Sequence, residues 1–139
     1  MKRKMKFRVW DKQQKIMFSH KLIDQCEKDG YVLWGDLFSG KDKTAEIMQF
    51  TGLKDYNNVN IYEGDIVTVN GNTNSARLNK NYTITFMDGA FCVTARNMGD
   101  SLNNSITIRD LMFQAENANH KLILKVIGNV YENPELLND

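Results

Sequence analysis

The side chains in this sequence able to do acid–base, nucleophilic or metal chemistry are few. The most suggestive pair is Glu63 and Asp65, two carboxylates flanking Gly64 in the run Ile61-Tyr62-Glu63-Gly64-Asp65-Ile66-Val67-Thr68-Val69. Paired carboxylates serve general acid–base catalysis or hold a hard cation. Neither use is completed here, because no base, nucleophile or third ligand is apparent beside them. Gly-Asp is also ordinary turn chemistry: glycine takes a backbone angle closed to other side chains, and aspartate accepts hydrogen bonds from nearby N–H groups. Gly64 and Asp65 are therefore expected to be structural. His20, Cys26, Cys92 and His120 fall at none of the short paired spacings of structural zinc sites, so no metal is expected. Cys92, between Phe91 and Val93, reads as a small core or face residue, and the two histidines read as surface groups. A Cys–His nucleophile has nothing in the sequence to single it out. Gly40-Lys41 lacks the earlier glycine and the following Ser/Thr of a phosphate-binding loop, and there is no dinucleotide fingerprint. The expectation is a protein without catalytic residues or cofactor.

Charge is unevenly laid out. Residues 1–15 carry Lys2, Arg3, Lys4, Lys6, Arg8, Lys12 and Lys15 against Asp11 alone, a net +6, so the remainder of a +1 chain sums to −5. Such a strip suits phosphates, an acidic partner or a neighbouring subunit, and equally a solvated charged face. The aromatics Trp10, Trp34, Tyr62, Phe91 and Tyr131 are spread over predicted strands, where core packing competes with base stacking. Arg8, Trp10, Tyr62 and Tyr131 are the candidate binding or interface residues.

The elements that must hold these residues are mostly strands. A hydrophobic share of 42% and a charged share of 25% are globular values. No apolar run approaches the roughly 20 residues that span a bilayer, and no apolar stretch follows the basic start as it would in an export signal. With two cysteines, a reduced cytoplasmic protein is expected. Phe7–Asp11, a polar turn, and Ile16–Phe18 predict a hairpin. Turn signals at Asp29-Gly30 and Ser39-Gly40 bracket Tyr31–Trp34, a predicted short strand, and a charged loop over 40–46 leads to a strand at Ile47–Thr51. Ile66–Val69 is a strand ended by Asn70-Gly71-Asn72, with a polar loop over 72–81. Tyr82–Met87, Asp88-Gly89 and Ala90–Ala95 form the strongest hairpin signal, since Asp-Gly supplies the positive φ of a type I′ turn. A loop is expected over 97–105, a short helix over 106–115, and a closing strand over 122–127. At the end, Asn133 suits a cap, Pro134 the first helical position and Glu135 the first turn of a one-turn helix. That turn would press Leu136 and Leu137 onto the barrel or onto another subunit. The pattern becomes regular near Ile47, dividing an N-terminal hairpin and loop region (1–46) from a barrel region (47–139) within one compact unit.

With these segments placed, the chain resembles the YopX family of phage and prophage proteins nearly end to end. Four pieces carry the likeness: Phe7-Arg8-Val9-Trp10-Asp11, Gly52-Leu53-Lys54-Asp55, Ile61-Tyr62-Glu63-Gly64-Asp65, and the ending Gly128-Asn129-Val130-Tyr131-Glu132-Asn133-Pro134-Glu135-Leu136-Leu137. The resemblance implies a mainly β fold whose C-terminal part is an SH3-like barrel, a mobile-element origin, and no catalytic residues. Gly52, Asp55, Gly64, Asp65 and Gly128 are expected to be structural turn residues. The family's glycine between Lys-Asp and the Ile-Tyr-Glu-Gly-Asp block is replaced here by Tyr56-Asn57-Asn58-Val59-Asn60, in which Asn58 can take the left-handed conformation. A barrel presenting loops and a face favours binding over chemistry. The expected role is a phage accessory protein that binds a host protein or sequesters a small ligand, in the cytoplasm of a bacterial host cell and able to self-associate. Nucleic-acid binding by the basic strip is the alternative, and no membrane association is expected.

Overall fold

The computed structural model describes residues 2, 4–30, 34–71, 80–95, 105–117 and 122–138. They divide into two compact units, Met1–Gly52 and Leu53–Asp139. The predicted strand at Tyr31–Trp34 is not found at Trp34, which opens a helix; residues 31–33 lie outside the described residues, as do His120 and most of the loops expected over 72–81 and 97–105. Among the described residues no helix is long and apolar enough to cross a membrane.

In the first unit, β1 (Phe7–Asp11) and β2 (Ile16–Phe18) form the expected hairpin. Its turn is set by Asp11, whose Oδ1 accepts the N–H groups of Gln13 and Gln14 at 2.8 and 2.9 Å, while Lys15 takes φ +57°. β3 (Ala45–Lys54) pairs antiparallel with the other edge of β1, Asp11 opposite Ala45 and Phe7 opposite Gln49. Two helices were not foreseen. α1 (His20–Lys28) begins at Ser19, whose Oγ accepts the N–H of Leu22 at 3.2 Å. α1 buries Ile23 alone, and Leu22, Ile23 and Cys26 are its only apolar residues, a short pattern in a polar sequence. α2 (Trp34–Phe38) is a single turn with no buried residue.

In the second unit, the end of β3 turns into β4 (Asn60–Tyr62). A five-stranded antiparallel sheet then runs in the order β8-β7-β6-β5-β9. Its strands are β5 (Asp65–Gly71), β6 (Lys80–Met87), β7 (Ala90–Thr94), β8 (Ser105–Thr107) and β9 (Leu122–Asn129). The Asp88-Gly89 turn has φ +50° and +78°, the two positive angles of the predicted type I′ hairpin. α3 (Ile108–Asn117) packs Ile108 and Leu111 into a core with Ile61, Val67, Val69, Tyr82, Ile84, Val93 and Leu124. Each such side chain contributes about 1.5–3 kcal/mol when fully buried. Register between β5 and β9 shifts at Ile66/Val67, a bulge that bends the sheet. The mainly β expectation holds: the strands form two antiparallel sheets, one of them a half-barrel.

The chain ends in a 3₁₀ turn over Pro134–Leu137 that docks on β6, where Asn81 Nδ2 donates to the Leu136 carbonyl at 2.7 Å. Asn133 precedes it without a side-chain cap, against expectation. Its Oδ1 instead accepts from the N–H of Asn129 at 3.3 Å. That side chain crowds Gly128, where a β-carbon would lie 2.6 Å from Asn133 Oδ1. Gly128 sits inside β9, and close approach, not a positive φ, accounts for the glycine.

Candidate functional site

The turn residues decide whether the paired carboxylates are chemistry or scaffold. Gly64 takes φ +81°; its N–H donates to the Ile84 carbonyl at 2.8 Å and its carbonyl accepts from Val130 at 2.9 Å. Asp65 is buried, and its Oδ2 accepts the Tyr62 N–H at 2.8 Å, closing the turn over Glu63-Gly64. Asp55 carries a larger share. Its Oδ1 accepts from Asn57 and Val59 at 2.8 and 2.9 Å, and its Oδ2 accepts from Val126 of β9 at 2.9 Å. Next to it the Tyr56 N–H donates to the Leu124 carbonyl at 2.9 Å, so Asp55-Tyr56 covers the outer edge of β9. Asn58 takes φ +65°, as the missing glycine required, and exposed Gly52 has φ +86°. Asp55, Gly64 and Asp65 thus each take part in holding a backbone turn. Among the described residues no group of three or more His, Cys, Asp or Glu could hold a metal ion.

The four candidate interface residues fall on both units. Arg8 and Trp10 lie on β1 of the first unit, Trp10 buried in its core; Tyr62 ends β4 and Tyr131 follows β9 in the second, both half-buried. The first unit's aromatic cluster is another set: Phe7 meets Trp34 and Phe38 edge-on at 6.1 and 4.9 Å, and Trp34 stacks on Phe38 at 5.9 Å. His20 belongs to this cluster and is not a plain surface group. Its Nδ1 accepts the Phe7 N–H at 3.0 Å, which leaves the ring proton on Nε2, 3.4 Å from Asp24 Oδ2. Asp24 also accepts Trp34 Nε1–H at 2.8 Å. A separate cavity of about 230 Å³ in this unit is lined by Val9, Phe18, Ile23 and Leu37, with Cys26 and Asp42 at its margin. Hydrogen bonds from the Thr44 hydroxyl and N–H hold the Asp42 carboxyl below the usual range.

The strongest candidate site is a groove of about 450 Å³ in the second unit. The β6–β7 hairpin supplies Met87, Asp88, Ala90 and Cys92; β8 and α3 supply Ile106, Thr107, Asp110 and Phe113. Local chemistry places the two carboxylates. Asp88 sits in the type I′ turn, and Asp110 is fixed in the first turn of α3, its N–H donating to Thr107 Oγ1 at 3.0 Å. Phe113 is 61% exposed, and Phe86 on the same hairpin 53%. Cys92 is buried, its Sγ donating to the Ala90 carbonyl at 3.8 Å. Burial pushes its thiol up, and the charges of Asp88 and Asp110 push it further. It therefore stays a neutral thiol near pH 7, the reverse of an activated nucleophile. We expect Cys92 to alkylate about tenfold or more slowly than half-exposed Cys26 in the native protein, and equally fast in denaturant, by mass spectrometry of iodoacetamide adducts. Equal native rates would contradict this environment. Sequence reasoning missed the groove because α3 had no assigned partner; the Asp88-Gly89 turn and the Thr107…Asp110 cap were its only local signals.

No curated protein matches the chain. Protein EF1440 from Enterococcus faecalis is similar at 27% identity, with a TM-score of 0.58 over 98% of this chain and 99% of that one. Protein yopX from Bacillus subtilis is similar at 20% identity, with a TM-score of 0.54 over 95% of this chain and 97% of that one, a likeness of fold. The family described as YopX protein matches residues 6–138, and the chain belongs to that family.

Proposed function

We propose that the chain is a non-enzymatic accessory protein of a phage or prophage that acts in the bacterial cytoplasm by binding a host protein through the groove between the β6–β7 hairpin and α3. The observation that carries this reading is the groove's composition. Its volume, about 450 Å³, lies in the range of ligand sites, roughly 300–1,000 Å³. Met87, Ile106 and exposed Phe113 offer apolar contact, while Asp88 and Asp110 set a negative charge against it. A polypeptide segment bearing lysine or arginine beside an apolar residue matches both, since the long stems lie along apolar surface and the heads reach the carboxylates. A small amphipathic cation satisfies the same groups.

The test is affinity capture of the tagged protein from host lysate, with and without nuclease, comparing wild type with Asp88→Asn/Asp110→Lys and Phe113→Ser. The expected result is a nuclease-resistant protein recovered by wild type and lost with both variants. Asn is chosen at 88 because it tolerates the positive φ of that turn. A second reading, nucleic-acid binding, is favoured by the first unit's charge, 11 basic against 7 acidic residues, beside Phe38, which is 53% exposed. Capture that vanishes with nuclease and falls steeply with salt would choose it instead.

A further inference from the structure

The two units carry opposite charge. Residues 1–52 hold 11 basic and 7 acidic side chains, a net +4, and residues 53–139 hold 7 and 10, a net −3. Within the first unit the excess is concentrated at the start, where Lys2 and Lys4 are exposed, in no element, and Met5 is 56% exposed. Lys6 is tied to β3: its carbonyl accepts the Phe50 N–H at 2.8 Å and its ammonium lies 5.7 Å from the Phe50 ring centroid. Upstream of that anchor, Lys2-Arg3-Lys4-Met5 reads cation, cation, cation, thioether. The chain therefore bears, at its own start, the basic and apolar segment that the groove of the second unit would take.

Resting on the groove reading above, we propose that the groove is occupied by residues 2–5 of a second copy of the chain when no other partner is present. Extended, these four residues reach about 14 Å, and they carry a thioether for the apolar lining and cations for the carboxylates of Asp88 and Asp110. The flexible thioether of Met5 suits an aromatic wall such as Phe113, and a lysine ammonium over that ring adds a cation–π contact. If two copies exchange segments reciprocally, the contact is isologous and closes as a dimer; if not, copies add head to tail. Both forms make groove occupancy depend on concentration and on salt, because the attraction lies between exposed charges. Self-association would then hold the groove shut until a tighter basic segment displaces it.

The test uses the full chain. Light scattering from about 5 to 500 µM at low salt should show the mass rising to twice that of the chain for reciprocal exchange, or beyond it for head-to-tail addition, and the rise should shrink at 0.5 M salt. Lys4→Glu alone and Asp110→Lys alone should each weaken association about tenfold or more, and Lys4→Glu with Asp110→Lys should restore most of it, as a charge swap across one contact requires. Circular dichroism and melting of each variant separate loss of contact from loss of fold. A mass that stays monomeric at every concentration, or an association indifferent to both substitutions, overturns the proposal. A fluorescent Lys-Leu-Lys-Leu peptide separates this failure from failure of the groove reading. Peptide binding to a monomeric wild type that is lost in Asp88→Asn/Asp110→Lys sinks self-docking and leaves the groove reading standing, whereas no peptide binding and no association sinks both.

Discussion

Replacing Asp55 with alanine should destabilise the second unit by about 3 kcal/mol or more, the largest effect expected of any single side-chain truncation described above. The magnitude follows from what the carboxylate holds. Two of its hydrogen bonds, from Asn57 and Val59, set the turn into β4, and the third, from Val126, satisfies an edge N–H of β9. Asp55 is 8% exposed, so a methyl group there leaves donors facing neither partner nor open solvent. At about 4–8 °C per kcal/mol for a unit of this size, the thermal midpoint should drop by more than 10 °C. Asp55→Asn keeps one acceptor oxygen and should fall between alanine and wild type. A midpoint for Asp55→Ala within a degree or two of wild type would show that the turn and the strand edge hold without it.

Gly64→Val should cost about 2–3 kcal/mol, and more than Asp65→Asn. Valine at φ +81° meets the steric penalty of the left-handed region with a β-branched side chain, in a position already buried. The backbone cannot rotate away cheaply, because both polar groups of Gly64 are bonded, to Ile84 and to Val130. Asparagine at 65 retains an oxygen for the Tyr62 N–H, so its loss is smaller. Urea titration of the two variants beside wild type measures the order directly. Equal midpoints, or a lower one for Asp65→Asn, would contradict the assignment of the strain to Gly64.

What the sequence made legible were features whose cause is local. The Asp88-Gly89 hairpin, the β1–β2 hairpin and the left-handed Asn58 each follow from residues within a few positions of one another, and each stands as expected. α1 was illegible because its 9 residues are too few to repeat an apolar pattern convincingly, and it rests on burial of Ile23 and the Ser19 cap. Trp34 reads as strand because the apolar run Tyr31–Trp34 lies between the turn signals Asp29-Gly30 and Ser39-Gly40, whereas its indole is fixed by Asp24 on α1, ten residues away. Asn133 was expected to cap and does not, since the approach of Gly128 draws its amide oxygen to Asn129. The groove depends on α3 lying beside the β6–β7 hairpin, a long-range arrangement that no spacing along the chain encodes. The turn residues were found because backbone geometry restricts residue type, and the groove was missed because shape does not.

The position of β5 between β6 and β9 sets an order of events during synthesis. The first unit is complete once β3 has left the ribosome, but the second unit needs β9, whose Asp65↔Asn129 pair closes a loop spanning most of its length. At about 5–20 residues per second, several seconds separate the emergence of β5 from that of its outer partner. Through that interval Val67 and Val69, fully buried in the finished fold, have one unpaired strand edge beside them. A nascent chain stalled before residue 122 should therefore protect its first unit from protease and leave β5–β7 open to cleavage and to pairing with other chains.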